Sequence, residues 1–444
     1  MTKFIGIIGA GPAGCALACF LKEKNIDCVV FDDNHTPDII VGESLVSAII
    51  PLLRRLGIEK RVAEVSTVKL GAALRHENGN RVDFKFKRFG FKYPSYSYNV
   101  SRPEFDLIMR QRAKELGVKF VNVRAKVEAT TDDPNRDLQL CDETLAMAGL
   151  SRANQPSLLV DASGRTRLFS RTLNITSTRG NRNDVSYFAH YKNFDCDSIV
   201  QGQIVLSILE SGWSWQIPLK DRLSVGVVLD KKVAKNFGSS AEERLENIIN
   251  ASPLLAKNGS GRERVSTVKS YSNYQLLSKQ GYGKGWVLLG DAFGFVDPML
   301  SPGIHMSIES AALLEKHVIS KAQASEQDFD HYCAEFKDWY NAWDYLVKFF
   351  YDGRILSMAE VRESIQNSSN PFSIPKLVEP YISRVLSSLV SGIKTRSKFN
   401  QQILFHSSQR VAGDPNRIAA HTIHSSLDDF KPEKDNTHDI KDIA

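Results

Sequence analysis

The sequence predicts an α/β fold: a doubly wound nucleotide-binding domain, an inserted antiparallel sheet and a set of C-terminal helices. Three observations carry this reading. A glycine-rich turn joins an apolar strand to an apolar helix near the N-terminus. Two β-branched or aliphatic runs flank the Trp213 to Pro218 segment between residues 204 and 229, separated by short turns. Beyond residue 330 the pattern becomes helical and rich in aromatic residues.

In chain order, Phe4 to Ile8 is a short apolar strand, followed by Gly9-Ala-Gly11-Pro-Ala13-Gly14 and an apolar-periodic helix from Pro12 to about Lys24. Cys28 to Phe31 reads as the second strand, with Asp32 at its end. In this context Gly9 makes the tight turn, Gly11 lets the backbone approach a pyrophosphate, and Gly14 permits close helix–strand packing. Asp32 is placed to accept from ribose hydroxyls. A helix is expected over Pro51 to Leu56 and a strand over Leu70 to Arg75. Ile204 to Leu209, Trp213 to Pro218 and Leu223 to Leu229 read as strands, with turns at Gly212 and Asp221-Arg222. Trp213 and Trp215 are two apart, so a strand points both to one face. A helix is expected from Ile304 to Ser320, and Asn367 to Pro375 reads as a loop.

The bulk numbers narrow the class. At 444 residues, 42% apolar and 24% charged, the chain suits a globular protein with a large core. A net charge of +6 spread along the chain gives no nucleic-acid footprint. Six cysteines show neither a C-x-x-C pair nor metal-ligand spacing, which suits buried thiols in a reducing compartment. No apolar run approaches the ~20 residues of a membrane span. Met1-Thr-Lys leads directly into a strand, so no leader peptide is expected, and the cytoplasm is the expected location.

Five further segments carry a resemblance. Val41-Gly42-Glu43-Ser44-Leu45, Ser101-Arg102-Pro-Glu-Phe105-Asp106, Val160-Asp161-Ala-Ser163-Gly164-Arg165, Leu289-Gly290-Asp291-Ala292 and Trp213-Ser-Trp215-Gln-Ile217-Pro218 stand in this order on the chain, apart from the last, which precedes the aspartate segment. They resemble the G-E-S-L, R-x-x-F-D, D-A-S-G-R, G-D and W-x-W-x-I-P motifs of the flavin-dependent halogenases within the FAD-dependent monooxygenase superfamily. The resemblance implies a Rossmann-type FAD-binding domain of the GR2, p-hydroxybenzoate-hydroxylase-like kind. Glu43, Ser44, Arg102 and Asp291 would join Gly9, Gly11, Ala13, Gly14 and Asp32 around FAD. Trp213, Trp215, Ile217 and Pro218 would face the substrate.

Two more segments bear on the chemistry. Val68-Lys69-Leu70-Gly71-Ala72 resembles the K-x-G-A stretch carrying the catalytic lysine in halogenases of phenols and pyrroles. Phe295-Val-Asp-Pro298-Met-Leu-Ser301-Pro302-Gly303 fits F-x-x-P-x-x-S-x-G, which implies a catalytic Ser301 and cofactor contacts at Pro298, Gly303 and Ile304. Two positions depart from the family. Leu300 stands where tryptophan halogenases place an acid, and Pro302 stands where a backbone N–H is expected to help bind halide but has none to give. A missing donor would weaken chloride by roughly ten- to a hundredfold, taking about 1.5–3 kcal/mol for a hydrogen bond to a charged group.

The resemblance implies an enzyme that uses reduced FAD and O2 on an electron-rich aromatic ring, with halogenation of a phenol, pyrrole or indole favoured. The alternative is hydroxylation, including that of a tryptophan in a partner protein during quinone-cofactor formation. A geranylgeranyl-reductase-like reductase and a flavin-binding subunit without turnover stand behind both. FAD would be reduced by NAD(P)H or a partner flavin reductase, with halide as a further ligand. The substrate would be a small aromatic, a carrier-tethered ring or a peptide-borne one. The expected organisation is an FAD domain from 1–175 and 262–330, a sheet domain at 176–261, a helical cap at 331–413 and a disordered tail at 414–444.

Overall fold

The computed structural model describes residues 4–358, except 36, 78, 88, 132, 181 and 273–274, together with 374–412 and 422–423. The expected tail at 414–444 therefore lies almost wholly outside the described residues, as do residues 367–373 of the expected loop. Pro375 falls within the helix Ile374–Val390.

Two sheets organise the chain. The first has six strands in the order Tyr282–Gly283, Trp286–Leu288, Leu158–Asp161, Ile5–Ile8, Cys28–Asp32 and Lys119–Asn122. All its pairs are parallel except the edge strand Tyr282–Gly283. The central strands Ile5–Ile8 and Cys28–Asp32 are continuous apolar runs, as a parallel sheet covered on both faces requires. The helix Pro12–Glu23 packs on it, with Pro12 at its first position and buried residues from Ala13 to Leu21. The Gly303–Leu314 helix lies against that helix.

The second sheet has eight strands and reaches beyond residues 176–261. Gly71–His76 pairs in parallel with Ile204–Leu209, Arg81–Lys85 forms its edge, and Lys269–Ser272 joins strand Asp184–Lys192. Cross-strand pairing, not chain order, thus draws segments on both sides of the insertion into one sheet. The strands Asp184–Lys192, Leu223–Asp230 and Gly212–Pro218 are buried on both faces. On the outer face Val185, Tyr187, Val225 and Val227 pack with Leu245 and Ile248 of the helix Ala241–Ala251. On the inner face Phe188, Trp213, Trp215 and Val228 join the main core. Period-two alternation therefore brings His190 to the inner face with Phe188.

Gly212 opens its strand at φ +138, and the reversal is made by the residues just before it. The Gly303–Leu314 helix ends earlier than expected and continues through one wider π turn, Glu315–Ile319. The long helix Glu326–Tyr351 buries Phe336, Trp343, Phe349 and Phe350, so most of the aromatic stripe is core. Among the described residues no helix is long and apolar enough to cross a membrane, and no group of side chains could hold a metal ion.

Candidate active site

The glycine-rich turn ends at a cavity of 330 Å³ between the two sheets. Gly9 takes φ +103, and a Cβ there would meet the Ala162 carbonyl oxygen at 2.5 Å. A Cβ on Gly14 would stand 2.1 Å from the Gly9 oxygen, so this residue packs behind the turn and does not border the cavity. A Cβ on Gly11 would meet nothing within 4 Å, because Gly11 faces the open space. Asp32 borders the cavity and accepts from Ala10 N (2.9 Å), Asn34 N (2.9 Å) and Arg110 Nη2 (2.7 Å). It therefore fixes the turn as well as facing the place of a ribose.

Ala13, Gly42, Glu43, Ser44 and Arg102 border the same cavity, as do Asp291, Pro298, Ser301, Gly303 and Ile304. Arg102 donates to the Val41 carbonyl (2.7 Å) and pairs with Asp106 (3.3 Å), which holds the Gly42 loop. Asp291 keeps one long contact, from the Ser307 hydroxyl at 3.4 Å. Burial pushes its carboxyl up to about 6, with Arg102 and Arg165 pulling the other way. An under-bonded carboxylate beside a glycine turn is the donor-seeking group that a flavin dinucleotide's ribityl hydroxyls would meet. The residues fit FAD.

The tryptophan pair lines the cavity. Trp213 and Trp215 are buried with ring centroids 5.8 Å apart. Gly226, opposite Trp215 in register, makes room for the indole, since a Cβ there would lie 2.1 Å from Trp215 Cζ2. Ile217 also borders the cavity, but Pro218 does not; it is paired with Leu223 at the strand end. The expectation for Pro218 is thereby corrected: the strand runs out before reaching the site.

A family model for tryptophan halogenase matches residues 85–355, well over half of the chain. The chain belongs to the tryptophan halogenase family. A model of the NAD(P)-binding Rossmann-like domain also matches residues 7–37. The chain is 26% identical over 403 residues to a tryptophan 2-halogenase of Chondromyces crocatus, covering 88% of this chain and 76% of that one. It is 26% identical over 389 residues to a pyrrole-2-carbonyl carrier-protein chlorinase of Pseudomonas fluorescens, covering 80% and 85%. Among solved structures, a triple mutant of the flavin-dependent brominase Bmp2 superposes with a TM-score of 0.73 at 20% identity, covering 91% and 98%.

In this halogenase-family chain FAD is the cofactor, and a second, small apolar pocket lies beside its cavity. Ile204 and Leu206 border both spaces. Lys69, 2% exposed, stands in the second with Phe86, Leu300 and Phe350. Its ammonium donates to Ser44 Oγ (2.8 Å) and the Leu45 carbonyl (3.1 Å) and lies 5.2 Å from the Phe86 ring centre. Burial lowers its pKa from 10.5 to about 7. Ser44 thus touches the flavin cavity on one side and Lys69 on the other. Lys85 is exposed on the strand Arg81–Lys85.

Three features escaped the sequence reading. Glu43 accepts from His190 Nε2 at 2.8 Å, and Arg222 Nε donates to His190 Nδ1 at 3.0 Å. With Nδ1 accepting, the proton sits on Nε2, so a neutral imidazole holds Glu43 in place. Secondly, Trp213 Nε1 donates to Tyr351 Oη (2.9 Å), whose hydroxyl reaches both Asp297 oxygens (3.3 Å each). Burial pushes the Asp297 carboxyl up to about 7, although the Met299 N–H and Arg182 oppose it. The one available signal was a polar residue, His190 or Asp297, inside an otherwise apolar run.

Thirdly, Leu300 and Ser301 both take left-handed backbone, φ +67 and +58, just before the Gly303–Leu314 helix. For residues other than glycine this costs about 1–2 kcal/mol each. The kink sets Pro302 as the cap, and the helix's first two residues, Gly303 and Ile304, border the cavity. Met306 N already bonds the Pro302 carbonyl, whereas Gly303 and Ile304 have no i−4 partner within the helix. Pro302 has no N–H to give, as the sequence requires, and Gly303 and Ile304 follow it along the cavity wall.

Proposed function

We propose that this chain halogenates an electron-rich aromatic ring, that a halide sits at the N–H groups of Gly303 and Ile304, and that Lys69 delivers the halogen. Bound FAD, once reduced, supplies the oxidising equivalent through reaction with O2. The helix dipole and two amides at residues 303 and 304 favour an anion there. Trp213, Trp215 and Ile217 exclude water from the space in front of it. Ser301 borders the same space and can donate its hydroxyl to the halide or to the departing oxygen.

The observation that carries this reading is the buried Lys69 amine, without a carboxylate partner among the described residues, in an apolar pocket next to the flavin cavity. Near neutral pH about half of it is unprotonated, which leaves a lone pair to take an electrophilic halogen. The pocket walled by Phe84, Phe86 and Phe350 measures only 20 Å³, room for about one water, so an aromatic acceptor reaches Lys69 only if these rings move. A carrier-tethered ring is a natural substrate, since the relative from Pseudomonas fluorescens is a chlorinase of a carrier-bound pyrrole. A partner flavin reductase would supply FADH2.

The test is product mass. With FAD, a flavin reductase, NADH and bromide, an activated phenol or pyrrole should gain bromine, and Lys69→Ala should stop this while FAD stays bound. Gain of oxygen regardless of bromide would replace halogenation by hydroxylation.

A further inference from the structure

The long helix ends where the flavin cavity and the lysine pocket meet. Phe350, in its last turn, borders the lysine pocket. The next residue, Tyr351, reaches the wall of the other space. Its hydroxyl accepts from Trp213 Nε1 (2.9 Å) and donates toward both Asp297 oxygens (3.3 Å each). Trp213 and Asp297 border the flavin cavity, whereas Tyr351 stands behind them and does not. The segment 297–301 likewise touches both spaces, with Asp297 and Ser301 on the flavin cavity and Leu300 on the lysine pocket. One phenol therefore ties the indole wall to the loop that leads into the Gly303–Leu314 helix.

That loop needs holding. Leu300 and Ser301 have left-handed backbone, φ +67 and +58, and strain of this kind persists only where the surroundings over-determine it. Inside the loop, Asp297 Oδ1 accepts from Met299 N (2.8 Å), and Ser301 N donates to the Pro298 carbonyl (3.1 Å). Both of these bonds travel with the loop. The Tyr351 bond instead joins it to another element, 54 residues further along the chain. Tyr351 is itself anchored, at 6% exposure, with the Arg182 guanidinium 3.7 Å over its ring. Its carbonyl accepts from Ile423 N (2.8 Å), and Arg182 is paired with Asp184 (2.6 Å). The hydroxyl is thus the end of a fixed side chain.

We infer that Tyr351 is a positioning residue for the halide. Through Asp297 it holds the 297–301 loop, and with it the first residues of the following helix, in the form that receives the ion. This rests on the halide place proposed at Gly303 and Ile304. The glycine turn, Asp32 and Asp291 make no bond to Tyr351, so halide affinity and FAD affinity separate when the hydroxyl is lost.

Tyr351→Phe keeps the ring and its contact with Arg182 and removes only the hydroxyl. Bromide is the probe, titrated calorimetrically into the oxidised, FAD-loaded protein. Its affinity should fall about fivefold, the worth of one hydrogen bond of about 1 kcal/mol, while FAD affinity stays within about twofold. The indole nitrogen–proton resonance of Trp213, assigned by its loss in Trp213→Phe, should move in the Tyr351→Phe protein. The inference is overturned if the variant binds bromide as the wild type does, if it loses bromide and FAD affinity together, or if the indole resonance stays where it was. Wild-type protein that binds no bromide would bring down the halide place itself, and the inference with it.

Discussion

Replacing Lys69 by methionine should make the protein more stable at neutral pH while ending halogenation. The structure supplies the magnitude. The side chain is 2% exposed and its pKa falls from 10.5 to about 7 through burial alone. At about 1.4 kcal/mol per pKa unit, the charged form in this pocket costs on the order of 5 kcal/mol relative to water. Methionine removes that cost but leaves Ser44 Oγ and the Leu45 carbonyl without their donor, a loss of roughly 2 kcal/mol. A net gain of about 2–3 kcal/mol is expected near pH 6.5.

The sign with pH follows from proton counts. Between about 7 and 10.5 the unfolded chain binds a proton that the folded chain does not, so wild-type stability rises with pH. By about pH 9.5 the wild-type penalty has shrunk to roughly 1 kcal/mol, and the methionine variant's advantage should vanish or slightly invert. Urea unfolding at fixed excess FAD, repeated across this range, reads the gap directly. A variant that is less stable at pH 6.5, or a gap that does not move with pH, refutes the buried-amine argument.

Other predictions concern the rest of the site. Asp297→Asn should remove a limb near pH 7 from the pH–rate profile, because the amide does not titrate where the Asp297 carboxyl does; product formation in the wild type should rise through about 7. A profile shared by both proteins would dismiss that hydrogen-bond chain. Gly226→Ala should cost about 1–3 kcal/mol and disturb Trp215, since the added carbon collides with the indole; thermal unfolding and product yield report both. Gly14→Ala should lower FAD retention on gel filtration, because its Cβ strikes the Gly9 carbonyl, which is backbone and cannot yield. Undiminished flavin content would contradict the cradle.

The nucleotide cradle was legible because its signals are local: strand, turn, helix and Asp32 lie within one stretch. The tryptophan pair and Lys69 could be found from short patterns, and the structure sets the indoles around the flavin cavity and the lysine next door. What the sequence hid depends on distant partners. His190 looks like any polar residue in a strand until Glu43 and Arg222 arrive from segments 147 and 32 residues away. Asp297 and Tyr351 are 54 apart and meet only through packing of the long helix. The missing N–H of Pro302 is visible in the sequence, whereas the left-handed pair at 300 and 301 that precedes it is not. The second sheet outgrew the expected boundaries for the same reason, since strand pairing of Gly71–His76 with Ile204–Leu209 leaves no mark on either segment.

Leu206 borders both the flavin cavity and the lysine pocket, so Leu206→Phe should narrow the passage between them. The decisive measurement is brominated product per NADH consumed, with a soluble scavenger present to collect any hypobromous acid that escapes. In the variant, NADH consumption should continue, the scavenger should be brominated and the aromatic substrate should not. Full substrate bromination through the narrowed passage would contradict transfer from the flavin cavity to Lys69.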